Sequence, residues 1–131
     1  MEKALATGDV RLAALGRVHL GRVLRALGRT GEARTQLALA ADFHRGAGGG
    51  EQAALGDCLL AALDAADGVP GAPERLEAVL AISDGDAPVE VFALDALGRY
   101  EEADRRMGAA AHFITDRDRT DRPAGVPRRT P

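Results

Sequence analysis

The stretch Ala26–Phe43, ALGRTGEARTQLALAADF, decides the fold because it recurs seventy residues later as Ala96–Phe113, ALGRYEEADRRMGAAAHF. Nine of the eighteen aligned positions are identical, including a Gly-Arg pair, a Glu-Ala pair and the closing Phe. Seventy is twice thirty-five, and a degraded copy lies midway, where Leu55-Gly56 corresponds to Leu20-Gly21. A period of this length predicts an array of repeated structural units.

Each repeat is predicted to contain two helices. The apolar residues of the first helix recur at spacings that favour a single inner face; they are Leu12, Leu15, Leu20, Val23, Leu24 and Leu27. Gly28 is expected to end that helix, because a positive φ costs glycine little. The second helix then starts near Thr30. The later helices are predicted at about 51–66, 73–82, 88–97 and 100–114.

The composition favours helices and disfavours several classes of function. The 27 Ala and 16 Leu are helix formers, whereas eight Val, two Ile and six Thr are too few for a β-rich fold. Four aromatic residues and a net charge of −3 argue against nucleic-acid binding. One cysteine needs no oxidising compartment, and no signal peptide or membrane span is recognised. We therefore expect a cytoplasmic protein without a membrane partner.

The charge pattern divides the chain into three segments. Residues 115–131 contain five Arg, three Asp and three Pro, and this composition predicts a disordered tail. Residues 1–8 are expected to hold a truncated helix, and residues 9–114 the helical repeats.

The chain resembles the tetratricopeptide repeat (TPR), a helical hairpin of roughly 34 residues with small and large residues alternating at packing positions. In the first unit the resemblance is carried by Leu20-Gly21, Leu24, Gly28, Glu32-Ala33, Leu37 and Ala40. In the last unit it is carried by Leu94, Gly98, Tyr100, Glu102-Ala103, Met107 and Ala110. The resemblance implies an all-α, right-handed superhelix of antiparallel helix pairs with about three repeats.

A narrower resemblance concerns the source of such arrays. The repeat spacing, the LGR-x-x-EA turn and the glycine-rich join are similar to the repeat arrays at the C-terminus of large actinobacterial transcriptional regulators. The two resemblances together imply a non-catalytic, regulatory protein–protein interaction module that binds a peptide or a partner protein.

The TPR resemblance also implies a concave binding groove lined by the first helix of each pair. The residues expected to face this groove are Val18, Arg22, Arg25, Ala53, Asp57, Leu60, Phe92 and Asp95. Such a groove would be mixed, with an arginine pair at one end and acidic residues with one aromatic at the other.

No catalytic, metal or cofactor site is predicted. The three histidines lie far apart in the sequence, and Cys58 has no ligand-spaced neighbour. The glycine runs lack the lysine of a phosphate-binding loop. Asp84-Gly85-Asp86 is better explained as a helix N-cap than as a calcium loop.

Two alternatives stay open at this point. The chain could be a small helical enzyme or ligand-binding protein whose site forms at a dimer interface. Apolar surface at the ends of the array, including Met107, Ala110 and Phe113, could also be covered by a second copy, which makes a homodimer possible.

Overall fold

The computed structural model describes residues 8–48, 50–83, 85–115 and 118–119. Within these ranges the chain forms six helices and no strand, which confirms the predicted all-α class. The helices are α1 (Gly8–Ala26), α2 (Thr30–Gly46), α3 (Gly50–Ala66), α4 (Ala72–Ile82), α5 (Ala87–Ala96) and α6 (Tyr100–Ala110). The truncated helix predicted within residues 1–8 lies almost entirely outside the described residues.

The repeated sequence produces repeated turn geometry. After α1, Gly28 has a φ of 79°, and the amide of Arg29 donates to the carbonyl of Leu24 at 2.8 Å. After α5, Gly98 has a φ of 80°, and the amide of Arg99 donates to Leu94 at the same distance. Both are Schellman ends, in which glycine takes the left-handed conformation that other residues rarely adopt.

The same two arginines then make matching ion pairs at the start of the next helix. Arg29 forms two hydrogen bonds of 2.7 Å with the carboxylate of Glu32, and Arg99 bonds Glu102 at 2.8 and 2.9 Å. The bond from Arg99 lowers the pKa of Glu102. The Gly-Arg and Glu-Ala pairs of the sequence repeat therefore fix one local structure twice, seventy residues apart.

The chain divides into two compact units, Met1–Leu60 and Ala61–Pro131, with the boundary inside α3. In the first unit α1 packs against α2, and in the second α5 packs against α4 and α6. Ion pairs also join consecutive helices within each unit. Arg45 of α2 bonds Asp57 of α3, and Arg75 of α4 bonds Asp64 of α3.

Glycine lets two helices of the first unit approach closely. A Cβ atom on Gly21 would lie 2.6 Å from Cγ of Leu37, whose side chain is fully buried in α2. A Cβ atom on Gly56 of α3 would lie 3.0 Å from the Cβ of Ala41. These two glycines therefore occupy close helix contacts.

The predicted inner face of α1 is wrong for most of its large residues. Four residues assigned to it are exposed, namely Leu15, Leu20, Val23 and Leu27, although Leu24 is buried as expected. The buried face instead carries Ala14, Val18, Gly21, Arg22 and Leu24. The reason is the close contact of Gly21 with Leu37, which turns Gly21 towards α2 and leaves Leu20, Val23 and Leu27 on the other side of α1.

The C-terminal tail is ordered where it meets the second unit. Arg119 bonds Asp95 of α5 at 2.5 and 2.9 Å and Asp104 of α6 at 2.9 Å. The three side chains are only 2, 2 and 5% exposed, respectively. Asp118 is also buried and accepts hydrogen bonds from the backbone and hydroxyl of Thr115.

The predicted disorder of residues 115–131 is therefore wrong at Asp118 and Arg119, while residues 120–131 lie outside the described ones. The low average hydrophobicity of residues 115–131 argues against burial of the whole segment. One arginine can nevertheless be buried where two carboxylates form ion pairs with it. Met107 and Ala110 are buried too, so the expectation that they form an exposed end of the array is also wrong.

The close contact at Gly21 predicts a strong asymmetry between two glycines of the same helix. We expect Gly21→Ala to lower the free energy of unfolding by about 1–3 kcal/mol, because the new methyl group overpacks Leu37. The new methyl group of Gly16→Ala meets open space. This variant should raise the free energy of unfolding by up to about 1 kcal/mol, because alanine favours the helix more than glycine does. Urea unfolding at low protein concentration measures both, and equal midpoints for the two variants would contradict this packing.

The buried ion cluster around Arg119 predicts a second asymmetry. Arg119→Ala should lower the free energy of unfolding by about 3–5 kcal/mol, because it leaves two buried carboxylates without the guanidinium. Arg105→Ala is the matched control, because its ion pair with Glu101 is exposed and should contribute less than about 1 kcal/mol. Thermal unfolding of both variants checks this, and a small loss at Arg119 would show that the cluster contributes little.

Candidate interaction surface

The face of α1 that points away from Leu37 is apolar and open to solvent. Leu15, Leu20, Val23 and Leu27 are 44, 45, 52 and 65% exposed. Gly16, His19 and Ala26 are also exposed, and Arg17 is the one exposed charged residue between Leu15 and Leu27. A contiguous apolar patch on one helix is unusual on a free protein surface and typically marks an interaction site.

Part of this face follows a regular spacing. Exposed residues without charge recur at alternating steps of three and four along α1, and they are Ala13, Gly16, Leu20, Val23 and Leu27. We call these five residues the α1 stripe. Alternating steps of three and four are typical of the seam between two packed helices. The α1 stripe therefore has the pattern of a helix-pairing surface, with small residues at one end and large residues at the other.

The corresponding face of α5 is covered. At the seventy-residue offset, Val23 matches Ala93, which is fully buried, and Leu27 matches Leu97, which is half-buried. Helix α4 packs against α5 and is joined to it by a short turn at residues 83–86. At these two positions the surface of the repeat is thus more buried in the second unit than in the first.

The predicted groove residues of the first unit have mixed positions. Val18 and Arg22 are buried on the α2 side of α1, so the expectation that they face outward is wrong. Arg25 is half-exposed, as is Leu60 of α3. Asp57 is 45% exposed and forms its ion pair with Arg45 rather than standing open to a partner. The predicted Ala53 is also buried.

The predicted groove residues of the second unit belong to its core. Phe92 is 2% exposed, and the carboxylate of Asp95 is held by Arg119. The hydrogen bonds to Asp95 and then to Asp104 raise the pKa of Arg119 above its ordinary value, so the guanidinium keeps its charge. The expectation that Phe92 and Asp95 face outward is therefore wrong, because α5 is enclosed by α4, α6 and the residues around Arg119.

Apolarity alone does not find the α1 stripe, because the pattern of large residues predicts them on the inner face of the helix. The alternating spacing of the stripe is present in the sequence. Small residues do not decide between the faces, since Ala14 and Gly21 are buried whereas Ala13 and Gly16 are exposed.

In the described part of the chain, no helix is long and apolar enough to cross a membrane. In the same residues, no group of three or more His, Cys, Asp or Glu side chains is placed to hold a metal ion. Cys58 is a buried cysteine on α3.

Comparison with known proteins found no match. No family model, no curated protein and no solved structure is significantly similar to this chain.

Proposed function

We propose that this chain is a non-catalytic protein–protein interaction module whose helix pairs are repeats of the tetratricopeptide kind. Its contact surface is the α1 stripe, and its partner is a protein that offers an apolar helix. The observation that carries this proposal is the exposure of Leu20, Val23 and Leu27 on a helix whose opposite face is packed.

The repeated turns support the repeat part of the proposal. Gly28 and Gly98 end their helices with the same backbone geometry, and Arg29 and Arg99 bind their glutamates in the same way. The buried alanine that follows each glutamate is also shared, since Ala33 and Ala103 are both fully buried. Local structure that recurs in step with sequence is what a repeat family requires.

The difference between α1 and α5 supports the interaction part. In the second unit a helix of the same chain packs against α5, and Ala93 is fully buried. The first unit keeps its corresponding Val23 half-exposed. Covering an apolar helix face is favourable because it removes hydrocarbon from water, and an amphipathic helix of a partner would provide the matching shape.

Substitution within the stripe tests the function directly. We expect Val23→Glu to abolish partner capture from lysate of the source cell, because it places a charge in an apolar contact. Leu39→Glu is the matched control, since Leu39 is 48% exposed on α2 and lies outside the stripe. Quantitative affinity capture with the wild-type chain and both variants as bait measures this dependence.

The proposal requires at least one protein, a second copy included, that wild type and Leu39→Glu retain and Val23→Glu loses. Helical circular dichroism of the three baits must agree, so that lost capture reflects the surface and not unfolding. If the three baits retain the same proteins, the stripe is not the contact surface.

A further inference from the structure

We infer that the partner of the α1 stripe is a second copy of this chain, with the two α1 helices packed in opposite directions about a two-fold axis. The inference rests on the proposed function, since it names the partner of the same surface. It follows from the order of small and large residues along the stripe, from its lack of charge, and from its limited area.

The stripe is complementary to its own reverse. When the two-fold axis passes between Leu20 and Val23, Leu20 of one copy lies opposite Val23 of the other. Gly16 then lies opposite Leu27, the most exposed large residue of the stripe. A Cβ atom on Gly16 would have nothing within 4 Å, so there is room at this position for the leucine of the second copy. A two-fold contact needs one patch that fits itself, and this order of residues provides it.

A parallel pair would lack this fit. Gly16 would then face Gly16, and the two Leu27 side chains would meet at the other end of the seam. The helices would be close at one end and held apart at the other, which leaves poorly packed space. Packing in opposite directions is also the expected arrangement of α4 and α5, which are joined by a short turn.

The charges near the stripe are compatible with self-association. None of its five residues is charged, so two copies meet without like charges at the centre of the contact. Arg17, which follows Gly16 in the sequence, donates a hydrogen bond to Gln36 of its own α2. Opposed helices also place the positive end of each helix dipole beside the negative end of the other.

The area of the contact indicates how tight the dimer is. The three large aliphatic side chains of the stripe offer roughly 200 Å² of apolar surface per copy. A contact along one pair of helices is therefore smaller than the roughly 1,200–2,000 Å² of total area buried in standard stable interfaces. The dimer is accordingly weak and reversible, as small interfaces are.

Sedimentation velocity of the full chain tests the inference. From about 5 to 500 μM we expect a reversible monomer–dimer equilibrium for the wild type. Leu20→Glu should weaken dimerisation by at least about tenfold, because it buries a carboxylate beside Val23 of the other copy. Leu39→Glu, with the same change at similar exposure, should dimerise like the wild type.

Disulfide trapping tests the direction of the helices. Chains carrying Gly16→Cys are mixed with chains carrying Leu27→Cys and oxidised, while the native Cys58 stays buried in both. The mixture should form a cross-linked dimer much faster than either variant alone. Rapid cross-linking of Gly16→Cys with itself would indicate parallel helices and overturn the inferred arrangement.

The remaining outcomes separate this inference from the proposed function. A wild-type chain that stays monomeric over the whole range, or a dimer unaffected by Leu20→Glu, overturns the second copy as the partner. If Val23→Glu still loses a different protein in the capture experiment, the stripe remains an interaction surface. If it loses none, both the inference and the proposed function fail.

Discussion

The contact between Gly21 and Leu37 is the constraint on which the first unit depends. A methyl group at Gly21 would lie 2.6 Å from Cγ of Leu37, so α1 and α2 approach more closely there than a side chain at position 21 would allow. That contact determines the rotation of α1 about its own axis. Ala14 and Gly21 consequently face α2, and the α1 stripe faces away from it.

The rotation of α1 in turn creates the candidate surface. A helix can gain free energy by packing closely against its neighbour at a small residue such as Gly21. Its large aliphatic residues can then lie on another side, provided that something else covers them. In the second unit Val91 occupies the position of Gly21, and α5 is buried on nearly every side. The corresponding helices of the two sequence repeats therefore differ: α5 is enclosed by its own chain, whereas one face of α1 is left open.

Local features of the fold were predictable because each depends on a few neighbouring residues. As the sequence indicates, left-handed glycines follow α1 and α5 at Gly28 and Gly98, and Asp86 is the N-cap of α5. The side chain of Asp86 accepts a hydrogen bond from the amide of Val89. The inner face of α1 was not predictable from apolarity, since apolar residues surround most of that helix. Only the steric demand of the partner helix selects among the possible faces, and this demand comes from Leu37, sixteen residues away.

The burial of Arg119 shows the same limit of local reasoning at the other end of the chain. The composition of residues 115–131 predicts a solvated segment, and for an average arginine this reasoning is sound. Asp95 and Asp104 change the outcome because each lies on a different helix of the α5–α6 pair, and together they receive one guanidinium at distances of 2.5–2.9 Å. The pairing also explains why Asp95 is unsuited to a binding groove. A carboxylate on α5 that is already held by Arg119 stabilises the second unit and does not face a partner.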